Sequence, residues 1–366
     1  MNDSISTITS SATYQTIINQ PTEMRRLVHD ERAWESASTA AVLLARARRI
    51  FLIGTGTSYH AAQIGQFLLR VAGADAWAVP AFDFALYPQP LTAADVAIIL
   101  SHRGTKLFSR QSLEKARLAG ASLIAITGQG SPLSTESGVL ALTTTAQERS
   151  STHTASYTTT LAILIQIASR LAEICDRPEV ALHLRTALAE APDILATAIA
   201  RQSTIADAAR EIAAGTRLFL TGPGPCGVTA MEGALKCKEA AYINAEGAPL
   251  ETFLHGPIVS LGPGDHLIIV NALRTGIAAD RAADVARAAG QIGVKIWLVG
   301  QTPRALGSTP WIDLGAPASD EICANLPLVV PLQLLACFLA SVRGTNPDTF
   351  RRDVATYDAA LRAITL

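Results

Sequence analysis

Short apolar runs alternate along the chain with longer stretches that have helical periodicity. Residues 50–53, 96–100 and 123–127 are continuous apolar segments, as expected of strands that are buried on both faces of a parallel sheet. Between them, residues 111–118 have the spacing of an amphipathic helix, and Gly120 follows as a stop signal. This alternation predicts an α/β fold of doubly wound parallel sheets.

The same pattern occurs twice in the chain. The segment that begins at Arg49 (Arg-Ile-Phe-Leu-Ile-Gly-Thr-Gly) recurs from Arg217 as Arg-Leu-Phe-Leu-Thr-Gly-Pro-Gly. Three more segments recur in the same order and at nearly the same spacing: 95–100 at 265–270, 116–120 at 286–290, and 124–129 at 296–301. We therefore predict two flavodoxin-like domains related by internal duplication. The predicted organisation is a helical arm (1–48), a first domain (49–175), a helical linker (176–215), a second domain (216–344) and a tail (345–366).

Composition narrows the classes of partner. Of 366 residues, 49% are hydrophobic and 17% charged, which is enough for a large core. Lysine plus arginine (30) nearly balances aspartate plus glutamate (31), so no basic surplus suggests a nucleic-acid partner. The five cysteines are scattered and lack a C-x-x-C pair, which favours a reducing, cytoplasmic location. The apolar run 326–342 contains two prolines and a glutamine; it predicts a buried helix, and we expect no membrane span.

Candidate chemistry is expected at the carboxyl ends of the strands, where ligands bind in such sheets. The turn after the first strand, Gly54-Thr-Gly-Thr-Ser58, can bind an anion with backbone N–H groups at a helix N-terminus, assisted by the hydroxyls of Thr57 and Ser58. Glycine-rich turns of this kind also occur for packing reasons alone, so the turn by itself leaves both interpretations open.

Four motifs indicate a family. They are Gly56-Thr-Ser58, Ser101-His-Arg-Gly-Thr-Lys106, Met231-Glu-Gly-Ala-Leu-Lys-Cys-Lys-Glu239 and His255-Gly-Pro257. Together they resemble the sugar isomerase (SIS) superfamily, above all the tandem-SIS isomerase half of glucosamine-6-phosphate synthase and its stand-alone relatives. The resemblance covers nearly the whole chain, and the combination of the last two motifs is specific to that group.

The resemblance implies a role for each motif. Glu239 would be the base that moves a proton between C1 and C2 of an open-chain sugar, with Lys236 nearby. His255 would open the sugar ring and would be supplied by a partner subunit, which implies a homodimer or a larger assembly. The anionic sugar would be bound by residues of the first domain, and no cofactor or metal is implied. The implied binding residues are Thr57, Ser58, Ser101, His102, Arg103, Lys106, Ser151, His153 and Thr154.

Residue spacing supports the base assignment independently. Glu232, Lys236 and Glu239 are spaced i, i+4, i+7, and Glu246 is seven residues further on, so all four can fall on one helical stripe. A carboxylate beside an ammonium group stays ionised, as a base must be. The alternative is an ion-pair ladder on the surface, against which the apolar neighbours of these residues argue.

The chain departs from the family at its anion loop. Relatives have Ser-x-Ser-Gly-x-Thr, whereas here Arg103 replaces the second serine and Lys106 replaces the threonine. Two cationic side chains can bind a phosphate or a sulfonate, unless one of them points into solvent. His60, His102 and His153 can add donors, line the sugar pocket or be partly buried histidines without a role. No ligand-spacing motif accompanies them, so we expect no metal site.

Further departures concern lysines and the N-terminus. Relatives carry a Schiff-base lysine in the tail, where this chain has Ala355, and no lysine follows Lys295. Imine chemistry from the tail is therefore not expected. Ala155 replaces another family lysine, and Thr252 replaces a glutamate. No glutaminase segment precedes the first domain, so glutamine-dependent synthesis is not expected either.

These observations predict an aldose–ketose isomerase that acts, through an enediol, on a hexose with an anionic group at C6. One alternative is an amino-sugar-phosphate deaminase, which would release ammonia. The other is a non-catalytic sugar-phosphate-binding protein, against which the presence of Glu239 and His255 argues.

Overall fold

The computed structural model describes residues 8–307, 312–314 and 320–364. Its described residues form two compact units. The first-sheet unit comprises 20–148, 155–192 and 358–364, and the second-sheet unit comprises 8–19, 149–154 and the described residues between 193 and 357. This division does not coincide with the predicted boundaries, because the N-terminal arm and the helical linker are each shared between the two units. Hydrogen bonds explain part of the difference: the backbone N–H groups of Ala12 and Thr13 donate to the Asp348 carboxylate.

The first-sheet unit contains a five-stranded parallel sheet in the order β2-β1-β3-β4-β5. The strands are β1 Arg49–Gly54, β2 Ala76–Pro80, β3 Asp95–Leu100, β4 Ser122–Thr127 and β5 Val139–Thr143. The apolar runs predicted as strands are thus confirmed as β1, β3 and β4, and they are buried along nearly their whole length.

The second-sheet unit contains a parallel sheet in the order β10-β9-β8-β6-β7. Its strands are β6 Leu218–Gly222, β7 Ala245–Pro249, β8 His266–Asn271, β9 Lys295–Gly300 and the two-residue β10 Ile312–Asp313. When this order is read from β7, the first strand of the unit again lies between the second and the third, as in the first sheet. The predicted α/β fold with parallel sheets is therefore confirmed.

Helices flank the strands in chain order. They are α1 Ala12–Val28, α2 Glu31–Ala45, α3 Thr57–Val71, α4 Ala81–Leu86, α5 Leu107–Leu118, α6 Ala155–Ile174, α7 Pro178–Ala200, α8 Gln202–Ala213, α9 Pro225–Ala241, α10 Leu250–Leu254, α11 Ile277–Ile292, α12 Asn325–Arg343 and α13 Ala355–Arg362. The helix predicted over 111–118 is the C-terminal part of α5, and Gly120 beyond it has a positive φ of 74°.

The same ion pair joins the first and third strands of each sheet. In the first sheet Arg49 at the start of β1 pairs with the buried Asp95 at 2.9 Å, and in the second sheet Arg217 pairs with Asp265 at 2.6 Å. Each arginine also lies over a phenylalanine two residues further along its strand. Burial opposes ionisation of Asp95, but hydrogen bonds from Arg49 and Thr92 lower the pKa of this carboxyl overall. The pairs fix the register of the strands whose opposite ends carry the candidate site.

Helix α12 is the predicted apolar helix. It is the one described helix that is long and apolar enough to cross a membrane by length and composition, and 89% of its most apolar window is buried. It packs on α8 and α9 within the second-sheet unit. The prediction of a buried helix is confirmed.

A buried histidine in the second sheet should make stability depend on pH. His266 is 5% exposed, and its Nδ1 accepts a hydrogen bond from Trp297 Nε1 at 3.0 Å. Burial lowers the pKa of His266, although Asp265 opposes the shift. A lowered folded-state pKa means that the full stability is present above about pH 6.5, the unfolded value, and is lost as the pH falls below it.

We therefore expect the free energy of unfolding to fall on acidification from pH 7 to pH 5, with a smaller slope for His266→Asn, whose side-chain oxygen can replace the Nδ1 acceptor. Urea titrations at each pH measure both slopes. Equal slopes for the variant and the wild type would contradict this assignment.

Candidate active site

Helix α9 carries the predicted base in the second-sheet unit. Pro225 occupies its first turn, where a missing N–H has no consequence. The helix ends at Tyr242, whose φ of 54° is left-handed. Gly233 allows close packing on α12, because a Cβ at this position would lie 2.6 Å from Leu332 Cδ1. The helix is therefore held on the face that bears the candidate residues.

Two carboxylates and one ammonium group form an ion-pair array on α9. Lys236 Nζ lies 3.3 Å from Glu232 Oε1 and 2.5 Å from Glu239 Oε2. The side chains of Lys236 and Glu232 are 1% and 0% exposed, whereas that of Glu239 is 18% exposed. Burial alone would lower the pKa of Lys236, but the two carboxylates raise it to about 12. Lys236 is thus a permanent cation, and Glu239 is the carboxylate of this array that solvent can reach.

The predicted stripe is correct for three of its four members and wrong for Glu246. The helix stops at Tyr242, and Glu246 is an exposed residue of strand β7. Its spacing from Glu239 was compatible with a longer helix, but the left-handed Tyr242 ends the helical repeat before that position.

His255 lies at the end of the short helix α10 in the same unit. Its side chain is 79% exposed, and Nε2 lies 3.7 Å from Glu251 Oε2. Glu251 also pairs with Arg281 at 2.6 Å. His255 is therefore an accessible imidazole with a neighbouring carboxylate, and Glu251 is a neighbour that the sequence reasoning did not identify.

The glycine turn and the anion loop lie at the carboxyl ends of β1 and β3, which are neighbours in the first sheet. Gly56 caps α3 with a φ of 57°, and Thr57 and Ser58 in the first turn are partly exposed. In the loop after β3, Ser101 is buried, whereas Arg103 and Lys106 are exposed. This edge of the sheet therefore combines a helix N-terminus, hydroxyl groups and two cations.

Gly104 sets the shape of the anion loop. Its φ is 70°, and a Cβ on this residue would collide with Ser131 Oγ. Ser131 Oγ in turn accepts a hydrogen bond from Leu133 N and so cannot easily move away. A side chain at position 104 would therefore both strain the backbone and displace the loop.

The three histidines considered in the sequence have different surroundings. His102 is 9% exposed, and His60 and His153 are partly buried. Burial lowers the pKa of His102, with Arg103 acting in the same direction and Glu148 opposing. Among the described residues, no group of three histidine, cysteine or acidic side chains is arranged to bind a metal ion.

The remaining candidates, Ser151, His153 and Thr154, lie in the short segment 149–154 of the second-sheet unit. The tail holds this segment: Ser151 N donates to Asp348 O at 2.8 Å, and Thr152 Oγ1 donates to Pro347 O at 2.6 Å. Thr154 O accepts a hydrogen bond from Gln333 Nε2 on α12. Asp348 is thus a second residue that the sequence reasoning missed.

Part of the chain matches a known domain family. Residues 43–170 match the SIS domain model, so this part of the chain is an SIS domain. A curated relative, glutamine–fructose-6-phosphate aminotransferase [isomerizing] from Pyrobaculum aerophilum, is 30% identical over 315 residues, covering 85% of this chain and 51% of the relative. The chain thus spans about half the length of the curated relatives it matches.

Solved structures share the fold of nearly the whole chain. The C-terminal domain of glucosamine-fructose-6-phosphate aminotransferase from Francisella tularensis aligns with a TM-score of 0.82 and 21% identity, covering 93% of this chain and 98% of that domain. Tagatose-6-phosphate ketose/aldose isomerase from Escherichia coli aligns with a TM-score of 0.77 and 20% identity, covering 93% and 95%. At this level of identity the likeness establishes the fold alone.

Proposed function

Starting from an SIS domain and a fold shared with a ketose/aldose isomerase, we propose that this protein is an aldose–ketose isomerase for a hexose with an anionic group at C6. The observation that carries the proposal is the array of Glu232, Lys236 and Glu239, in which two members are buried and Glu239 is accessible. The relatives with sugar-phosphate activities support the choice of substrate class.

The proposed reaction is a proton transfer through an enediol. His255 protonates the ring oxygen while the anomeric hydroxyl loses its proton, and the ring opens. Glu239 then removes the proton from C2 of the aldose and returns it to C1, while a proton moves from O2 to O1, giving the ketose. Lys236 keeps Glu239 ionised and fixes its carboxylate, so the base is positioned before substrate binds.

Substrate binding is assigned to the anion loop and its neighbours. The hydroxyls of Thr57, Ser58 and Ser101 and the cations Arg103 and Lys106 would bind a phosphate or a sulfonate at C6. Ser151, His153 and Thr154 would contact the sugar. We further propose that the two sheet units arose by duplication, which the repeated strand order and the repeated arginine–aspartate pair support. The exposed His255 would act in a homodimer.

Interconversion of defined sugars tests the proposal. The protein is incubated with glucose 6-phosphate, fructose 6-phosphate, tagatose 6-phosphate, glucosamine 6-phosphate and 6-deoxy-6-sulfoglucose, and products and ammonia are quantified. Aldose–ketose interconversion without ammonia supports isomerisation. Ammonia released from the amino sugar would instead indicate a deaminase, and binding without turnover of any sugar would indicate a sensor.

The two cations of the loop should each contribute to anion affinity. Arg103→Ala and Lys106→Ala are each expected to weaken inhibition by inorganic phosphate about tenfold, since a charge-assisted hydrogen bond contributes roughly 1.5–3 kcal/mol. Arg46→Ala, which removes an exposed arginine of the same unit at the end of α2, is the matched control for net charge. Inhibition constants unchanged in the two loop variants, or weakened equally in Arg46→Ala, would contradict a specific role for these side chains.

A further inference from the structure

We propose that His102 positions the anion loop and is not itself one of its anion donors; this inference rests on the proposed function. His102 Nε2 accepts a hydrogen bond from the backbone N–H of Glu148 at 3.2 Å. A ring nitrogen that accepts an N–H bond carries no proton, so this imidazole is neutral and has its proton on Nδ1. The Nε2 atom is therefore already committed to the protein.

The backbone of His102 is held as firmly as its ring. Its carbonyl oxygen accepts hydrogen bonds from Gly128 N at 2.9 Å, from Gln147 Nε2 at 3.1 Å and from Thr127 Oγ1 at 3.3 Å. These donors come from the end of β4 and from the segment that follows β5. Ring and carbonyl thus tie the first half of the anion loop to two neighbouring loops.

Close packing leaves the ring little room to turn toward a ligand. A Cβ on Gly128 would lie 2.6 Å from His102 Cε1 and 2.5 Å from Gln147 Nε2. Only glycine can occupy position 128 while these two side chains stay in place. The ring, 9% exposed, is packed as an interior group.

The bond to Glu148 extends to the start of helix α6. Glu148 Oε1 accepts a hydrogen bond from Ser156 N at 2.7 Å, in the first turn of that helix. His102, Glu148 and Ser156 therefore form a connected series from the anion loop to a helix N-terminus. The next residue in the loop, Arg103, is exposed, so the fixed His102 sets the point from which this cation leaves the protein surface.

Charge supports the same role. The groups that act on the ring are the Glu148 carboxylate, which favours protonation, and the Arg103 guanidinium, which disfavours it, while burial lowers the pKa of His102 most strongly. A protonated ring would lose the Glu148 bond, because Nε2 could no longer accept. At neutral pH the loop's positive charge thus comes from Arg103 and Lys106, and His102 contributes order.

Two isosteric variants separate positioning from anion donation. In His102→Gln the amide oxygen can occupy the place of Nε2 and accept the Glu148 N–H. In His102→Asn the amide occupies the place of Nδ1, where it could replace a donor to the ligand but cannot reach Glu148. Binding of inorganic phosphate to the full chain is measured by calorimetry, and the thermal unfolding midpoint is recorded beside it.

We expect His102→Gln to bind phosphate within threefold of the wild type, and His102→Asn to bind about tenfold more weakly. In ¹⁵N NMR spectra of the wild type, His102 Nε2 should give the signal of an unprotonated nitrogen. Wild-type affinity in the Asn variant, with or without a lower unfolding midpoint, overturns the proposal, and so does a tenfold loss in the Gln variant. Failure of the wild type to bind phosphate or sulfate would overturn the anion site of the proposed function as well, which distinguishes the two failures.

Discussion

Replacing Glu239 by glutamine is expected to lower kcat for isomerisation about 10²–10⁴-fold, the range typical of a lost general base. The amide has nearly the shape of the carboxylate and can keep a hydrogen bond with Lys236, but it cannot accept a proton from carbon. KM should change little, because the anionic group of the sugar is bound elsewhere. Steady-state rates with the sugar that the wild type converts measure the effect.

Glu246→Gln is the matched control for this variant. It makes the same chemical change on an exposed residue of strand β7, seven positions further along the chain. We expect it to keep wild-type kcat and KM. A Glu239→Gln enzyme that works at the wild-type rate would remove Glu239 from the mechanism while leaving the fold assignment untouched.

Lys236→Met should be the most destabilising single substitution in the candidate site. It leaves the fully buried Glu232 carboxylate and the largely buried Glu239 without their common cation. Removing one partner of a buried ion pair reduces the free energy of unfolding by about 3–5 kcal/mol, because an uncompensated charge remains in the interior. Urea unfolding at pH 7 gives this value.

The double variant Glu232→Gln with Lys236→Met tests the cause of that loss. Removing the buried carboxylate together with its cation takes away the uncompensated charge, so we expect it to recover more than half of the lost stability. If the double variant is less stable than Lys236→Met alone, the loss comes from packing around position 236 and not from charge.

Local patterns in the sequence predicted the strands and the base helix because their signals lie within a few residues. The apolar runs of β1, β3 and β4 are continuous, and Glu232, Lys236 and Glu239 follow the helical repeat. Glu246 shows where the method stops. A repeat of seven says nothing about a left-handed residue between two of its members, and Tyr242 adopts a conformation that the sequence does not mark.

Long-range hydrogen bonds could not be predicted from the sequence. Asp348 accepts from Ala12 N and Thr13 N, more than three hundred residues away along the chain, and no local motif connects an N-terminal helix with a tail aspartate. His102 is a similar case. The sequence places it in the anion loop beside Arg103, which suggested a donor, whereas the bond to Glu148 N depends on a loop that approaches only in the folded unit.

Solvent exchange at carbon tests the central claim most directly. In D₂O the wild-type protein and its sugar are followed by ¹H and ²H NMR during interconversion. A carboxylate that shuttles a proton between C2 and C1 predicts deuterium at those carbons in the wild type and at least a hundredfold slower incorporation in Glu239→Gln, in line with the loss of a general base. Interconversion at the wild-type rate by Glu239→Gln with the same deuterium incorporation would contradict the account.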